Sequence, residues 1–269
     1  MLEAWHLRKH YVQGRWYSRH QFHVTALDDV NLTIEPGSAL ALVGESGAGK
    51  STLGRCLSRL EEPDSGEIRF DGRNLWTLRS EELLAARRNI QLIFQDSAMA
   101  MNHRFSAAEI VEEPLLIQKN MPRTMRRKQA LALMEQVGIP SQWAQRPALE
   151  FSGGERQRLA IARALTLKPR VLILDEALAS LDFETQEQIA KLLLNLQTSF
   201  SLAYLFITHD FRLAARMANR IAVMWKGRIV ESGSVPAIFS EARHPSTRLL
   251  LAAAPDAQDD ALARIPREH

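Results

Sequence analysis

The sequence predicts an α/β fold with a mainly parallel core sheet and a helical segment set into it. Three patterns predict it. Apolar runs of strand length recur at residues 39–43, 171–174, 203–207 and 220–224, the last opened by Arg220, as expected of strands covered on both faces. Helical patterns separate those runs, and parallel strands need such crossovers. Between residues 106 and 145 the pattern stays helical, opened by Ser106-Ala107-Ala108-Glu109, whose spacing satisfies two orphan backbone donors at a helix start.

In chain order, apolar and polar residues first alternate, as in Val30-Asn31-Leu32-Thr33-Ile34 and Ile68-Arg69-Phe70. Turn residues Glu35-Pro36-Gly37 and Asp71-Gly72 follow them, so this part reads as β-strands with tight turns. Ala39-Leu40-Ala41-Leu42-Val43 is a continuous strand; a glycine-rich turn and a helical pattern over residues 50–60 follow. Residues 90–94 form a further strand. Past Pro255, Asp256-Ala257-Gln258-Asp259-Asp260 is polar and expected to fray.

With 46% hydrophobic and 24% charged residues among 269, the composition is that of a soluble globular chain with a sizeable core. The formal charge of +3 is too small an excess to argue for nucleic acid. The single cysteine, Cys56, excludes an internal disulfide and a cysteine-based zinc site and fits a reducing compartment. Charge interrupts the first ten residues before an apolar signal segment forms, so secretion is not expected. No apolar stretch approaches the roughly 20 residues of a membrane-spanning helix. Membrane association is therefore expected to run through a partner.

Gly44-Glu45-Ser46-Gly47-Ala48-Gly49-Lys50-Ser51, with Thr52 next, matches G-x-x-x-x-G-K-[ST] between a strand and a helix, the context that motif requires. The glycines let successive N–H groups point at phosphates, and the helix adds the positive end of its dipole. Lys50 is expected on the β and γ phosphates and Ser51 on Mg²⁺. Asp175 and Glu176 end an apolar strand, where adjacent charges serve no packing purpose. Asp175 is expected to orient the Mg²⁺ shell and Glu176 to polarise an attacking water as general base; on their own, such acids also cap a following helix. Phe151-Ser152-Gly153-Gly154-Glu155-Arg156-Gln157 places Ser152 as an N-cap and offers backbone donors to an anion. A second anion surface in a chain that already has a phosphate loop suits the nucleotide of another subunit.

In order and spacing these motifs resemble the ATP-binding-cassette family, over nearly the whole chain from Tyr11 to Gly233. The resemblance implies a P-loop NTPase fold with a mainly parallel core sheet, an antiparallel β subdomain and a helical subdomain. It places the ATP-binding core at residues 1–95 and 160–243, the helical subdomain at 96–159 and a C-terminal tail at 244–269. It implies ATP and Mg²⁺ as cofactors and a head-to-tail pair of ATPase subunits, each ATP lying between one phosphate loop and the partner's signature segment. Phe151 to Gln157 is that segment, Ser152 and Gly153 contacting the γ-phosphate in trans, with Phe151 in place of the more usual Leu. Gln95 resembles the Q-loop glutamine that reaches Mg²⁺, His209 the switch histidine that steadies the γ-phosphate, and Ser180-Leu181-Asp182 the D-loop. Asp182 also reads as a plain N-cap. Tyr11 stands where the family stacks an aromatic on adenine, with Trp16 and Tyr17 as nearby alternatives.

Within the family, one cassette, one cysteine and no heptad run or fused membrane span point to a separate ATPase docked on two integral-membrane permeases. A substrate-binding protein is an indirect partner, and the place of action is the cytoplasmic face of a bacterial inner membrane. Glu112-Glu113-Pro114-Leu115-Leu116-Ile117, the signature with Phe151, and His244-Pro245-Ser246-Thr247-Arg248-Leu249-Leu250 resemble ATPases of the dipeptide, oligopeptide and nickel importer group. In that group the paired ATPase is a paralogue. Gln95-Asp96-Ser97, Asn102-His103 and Glu176-Ala177 stand closer to the nickel branch, so cargo is expected to be peptide or a related small solute, with nickel or a metal chelate as the rival. The reading of a different class is a soluble ATPase acting on nucleic acid or ribosomes.

Overall fold

The computed structural model describes residues 1–13, 22–95, 101–102, 104–118 and 121–253. Trp16, Tyr17, Asp96, Ser97, His103 and the tail from Pro255 lie outside the described residues. The elements run β1 (Leu2–Gln13), β2 (Phe22–Ile34), β3 (Ala39–Val43), α1 (Lys50–Leu57), β4 (Ser65–Phe70), β5 (Arg73–Asn74), α2 (Ser80–Asn89), β6 (Ile90–Ile93), α3 (Ala107–Gln118) and α4 (Arg123–Gln136). They continue as α5 (Gly153–Leu165), β7 (Val171–Asp175), α6 (Phe183–Phe200), β8 (Ala203–Thr208), α7 (Phe211–Met217), β9 (Arg220–Trp225), β10 (Arg228–Ser234), α8 (Val235–Glu241) and α9 (Pro245–Ala252). The chain divides into two compact units: residues 1–87 with the chain from 203 onward, and residues 88–202.

In the first unit the alternating N-terminal strands form an antiparallel sheet in the order β2-β1-β4-β5, Leu2 facing Ile34 on one side and Phe70 on the other. Leu2, Ala4, Leu32, Ile34, Ile68 and Phe70 are buried while Thr33 and Arg69 are exposed, the two-faced pattern of a sheet with one wet side. The apolar runs form a second set of strands, β3 lying parallel to both β8 and β9, and β10 antiparallel to β9. Every residue of β3 and β8 is buried. Each fully buried Leu, Ile or Val there is worth about 1.5–3 kcal/mol, so these strands are firm anchors for the loops at their ends. Helix α1 stops at Leu57, short of the expected residue 60: Arg59 takes φ +61° and the Leu60 amide turns back to the Arg55 carbonyl at 2.9 Å.

In the second unit β6 and β7 pair in parallel, Ile93 beside Leu174, and α3, α4 and α5 pack on one another. The expected helix start at Ser106 has its full hydrogen-bonded box. Ser106 N–H and Oγ both donate to Glu109 Oε2 at 2.8 Å, and Glu109 N–H donates to Ser106 Oγ at 3.4 Å. Two ion pairs then clamp α3 to its neighbours, Glu113 to Arg163 of α5 at 2.9 Å and Glu112 to Arg127 of α4 at 3.5 Å. Pro114 stands inside α3 and has no N–H for the Ile110 carbonyl one turn back. Beside it is a cavity of about 200 Å³ lined by Leu92, Phe94, Met101, Pro114, Ile117 and Ala164 among others. Among the described residues no helix is long and apolar enough to cross a membrane.

Candidate functional site

The first unit holds the phosphate-loop residues, Tyr11 and His209. In the parallel pairing of β3 with β8, Val43 faces Thr208, so the Gly44–Thr52 loop and His209 leave adjacent strands at the same, C-terminal end. That end is where open α/β sheets bind ligands. Gly49 ends the loop at φ +105°, and a Cβ there would strike the Ala26 carbonyl oxygen, so only glycine fits. The loop leans on a neighbouring turn, Gly227 N–H donating to the Ala48 carbonyl at 3.0 Å. Helix α1 opens with no side-chain cap and no acid in its first turn, so the positive end of its dipole is not neutralised by an acid of its own and favours an anion there. Lys50 is 4% exposed, and its Nζ donates to the Gly44 and Glu45 carbonyls at 2.8 and 2.9 Å. The ammonium is thus carried inside the curl of its own loop.

His209 is exposed and sits in a turn pinned on both sides. Asp210 N–H donates to Thr208 Oγ1 at 3.0 Å, and the Asp210 carboxylate caps α7 by accepting from Arg212 N–H at 2.8 Å. Tyr11, on β1, is half-buried, with its hydroxyl 3.3 Å from Thr52 Oγ1.

The second unit holds Gln95, the signature segment, the paired acids and Asp182. Gln95 lies two residues beyond β6 and is exposed; Asp175 is the last residue of β7 and 6% exposed. Since Ile93 faces Leu174, Gln95 and Glu176 also leave adjacent parallel strands at one end. Glu176 is half-buried at φ +46°, a left-handed conformation costing a residue with a Cβ about 1–2 kcal/mol. Such strain is concentrated at functional positions. Ser152 caps α5 in a reciprocal box, its N–H donating to Glu155 Oε2 at 2.7 Å and its Oγ accepting from Glu155 N–H at 3.3 Å. Phe151 is 3% exposed, with its ring edge-on to Trp143 at 6.2 Å, and Gln157 is 4% exposed. The exposed part of the segment is therefore Ser152 and Gly153. Gly154 lies so close to the Thr185 methyl group on α6 that an added Cβ would collide with it. Asp182 caps α6 by accepting from Thr185 N–H at 3.0 Å; this bond holds its carboxyl below the usual carboxylate range.

Reasoning from sequence missed the residues that hold these groups in place. Asp210 was legible, as an acid directly before the apolar helix Phe211–Met217. Arg55 and Glu61, which reach the Tyr11 hydroxyl, carry no local signal.

A family model described as ABC transporter matches residues 27–179, more than half of the 269 residues. The chain belongs to the ABC transporter family. This ABC subunit is 42% identical over 266 residues to the probable peptide ABC transporter ATP-binding protein y4tS of Sinorhizobium fredii (strain NBRC 101917 / NGR234), covering 98% of this chain and 75% of that protein. It is 40% identical over 260 residues to the dipeptide transport ATP-binding protein DppF of Escherichia coli (strain K12), covering 97% and 78%. With the glutathione import ATP-binding protein GsiA of the same organism it shares 46% over 235 residues, 87% of this chain and 38% of that longer protein. Among solved structures, the ABC subunit matches the dimeric post-hydrolysis state of the ATP-binding cassette MJ0796 bound to ADP and Pi, with TM-score 0.76 and 30% identity over 87% of this chain and 98% of that one. It matches cbiO1 from Clostridium perfringens, part of the cbiONQ complex, with TM-score 0.75 and 28% identity over 98% of both. The ABC subunit is an ATP-binding, ATP-hydrolysing chain of the P-loop class.

Proposed function

We propose that this ABC subunit is the ATPase of an importer for peptides or related small solutes, paired with a second ATPase on two membrane permeases. The observation that carries the reading is the pairing of Val43 with Thr208, from which the phosphate loop and His209 emerge side by side. Lys50 and the leading N–H groups of α1 hold the β and γ phosphates, and His209 steadies charge that develops on the γ-phosphoryl group. Glu176 polarises the attacking water. Ser51, Gln95 and Asp175 offer hydroxyl, amide and carboxylate oxygens, the hard donors that Mg²⁺ accepts beside phosphate. Held there, the ion would supply charge neutralisation at the transferring group. Ser152, Gly153 and Asp182 serve the partner's nucleotide.

Relatives named for peptide, dipeptide and glutathione transport support a peptide-type cargo, glutathione itself being a tripeptide. The cavity beside Phe94 and Ile117, lined also by Gln91 and Arg163, supports docking of a permease segment close to Gln95, Phe94 and Ile117 being exposed side chains. The test is uptake of a labelled tripeptide and of nickel by cells that lack the chain and are complemented with wild type or Lys50→Ala. Peptide uptake restored by wild type alone is expected; nickel uptake restored without peptide uptake, or recovery of the chain on ribosomes, would overturn the reading.

A further inference from the structure

The Tyr11 hydroxyl is held by the phosphate-loop helix and the turn that follows it. It lies 3.3 Å from Thr52 Oγ1 and 3.3 Å from Arg55 Nη2, which is itself 3.3 Å from Thr52 Oγ1. Arg55 Nε donates to Glu61 Oε2 at 2.9 Å, and the Glu61 carboxylate also bonds the Tyr11 hydroxyl. One placement of the protons satisfies every group. Tyr11 donates to Glu61, and its oxygen accepts from Arg55 and from the Thr52 hydroxyl. Burial draws the Arg55 guanidinium down, but its bonds to Tyr11 and Glu61 outweigh burial and leave it raised. Lys9 closes the cluster, with Nζ 5.8 Å from the Tyr11 ring centroid and 3.3 Å from Asp64 Oδ1.

Arg55 thus grips two groups at once, the Tyr11 hydroxyl on β1 and the Thr52 hydroxyl in the first turn of its own helix. We propose that Arg55 is a positioning residue: with Glu61 it locks Tyr11 against the phosphate-loop helix, fixing the spacing between a stacked base and its phosphates. The proposal rests on the reading of Tyr11 as the ring that stacks on adenine. Its physical content is pre-organisation. A ring already ordered loses no rotamer freedom when the base arrives, and ordering one such side chain on binding costs about 3- to 10-fold in affinity.

The test is equilibrium binding to the whole chain of two probes, ATP and inorganic tripolyphosphate, the second lacking a base. Arg55→Met and Tyr11→Phe are expected to weaken ATP about 3- to 10-fold while leaving tripolyphosphate unchanged. Arg55→Lys should recover only part of the loss, because an ammonium cannot present the paired N–H groups of a guanidinium. Equal weakening of both probes by Arg55→Met would mean damage to the helix and overturn the proposal. If Tyr11→Ala leaves ATP affinity at the wild-type value, the stacking reading fails and the proposal with it. If Tyr11→Ala weakens ATP but Arg55→Met and Tyr11→Phe do not, positioning alone fails. Should Arg55→Met not fold, Tyr11→Phe, which removes a single oxygen, decides.

Discussion

Two serines in the second unit make the same local structure, and only one is assigned to a nucleotide. Ser152 and Ser106 each open a helix in a reciprocal box with a glutamate three residues on. Ser152→Ala removes one acceptor bond of 3.3 Å at an exposed site, at the lower end of N-cap losses, about 0.5–1 kcal/mol. Ser106→Ala removes an acceptor bond and a 2.8 Å bond donated to Glu109 at a position 8% exposed, so about 1–2 kcal/mol is expected. For a chain of this size these are thermal-midpoint shifts of about 2 °C and about 4 °C, read by calorimetry. ATP turnover of the assembled complex should rank the other way. Loss of a donor to developing phosphoryl charge costs roughly 100- to 1000-fold, so Ser152→Ala should fall about that far while Ser106→Ala stays within about twofold of wild type. If Ser152→Ala, below saturation of stability, turns over ATP no more slowly than Ser106→Ala, the assignment of Ser152 to a partner's γ-phosphate is refuted.

Glu176→Gln should abolish steady-state turnover in the assembled complex while retaining ATP affinity; turnover at the wild-type rate would exclude Glu176 as the base. Gly154→Ala should lose about 1–3 kcal/mol through its clash with the Thr185 methyl, measured by urea unfolding. Thr185→Ser, which removes that methyl, should restore stability in the double variant; no rescue would place the strain elsewhere. Acid should also weaken the fold. Hydrogen bonds from Ser106 hold Glu109 below its ordinary value of 4.5. At Glu61 burial pushes the carboxyl up, but bonds from Tyr11 and Arg55 outweigh it and leave it lowered. Both groups bind protons more readily in the unfolded chain, so their stabilisation is present above about pH 4.5 and is lost as the pH falls through their lower folded values. Urea midpoints that stay level down to about pH 3 would contradict this. The isolated chain should bind ATP but hydrolyse it slowly until its paired ATPase is added, as phosphate release across a mixing series would report.

Local features were legible in the sequence, and features made by distant approach were not. The phosphate loop announced itself because strand, glycine turn and helix are contiguous, and Ser106 announced α3 because its partner is three residues away. Arg55 lies 44 residues from Tyr11; their contact exists only because β1 runs past α1, and no periodicity encodes that. Glu112 and Glu113 marked a family likeness in the sequence, yet physically they are the acids that tie α3 to Arg127 and Arg163. The need for glycine at residue 154 was equally hidden, since it is set by the Thr185 methyl on another helix. The end of α1 at Leu57 was missed because the apolar pattern continues past the point where Arg59 reverses the chain.

Pro114 divides α3 into two mechanical segments. The first turn is clasped by the Ser106–Glu109 box, and the residues after Pro114 carry Ile117 into the wall of the cavity. A helix with one rung missing bends more cheaply than an unbroken one. A load pressed onto the cavity wall therefore flexes the last turn of α3 before it disturbs the first. The Glu113–Arg163 pair, sitting at that joint, is the tether through which such a bend pulls on α5, the helix whose opposite end begins at Gly153.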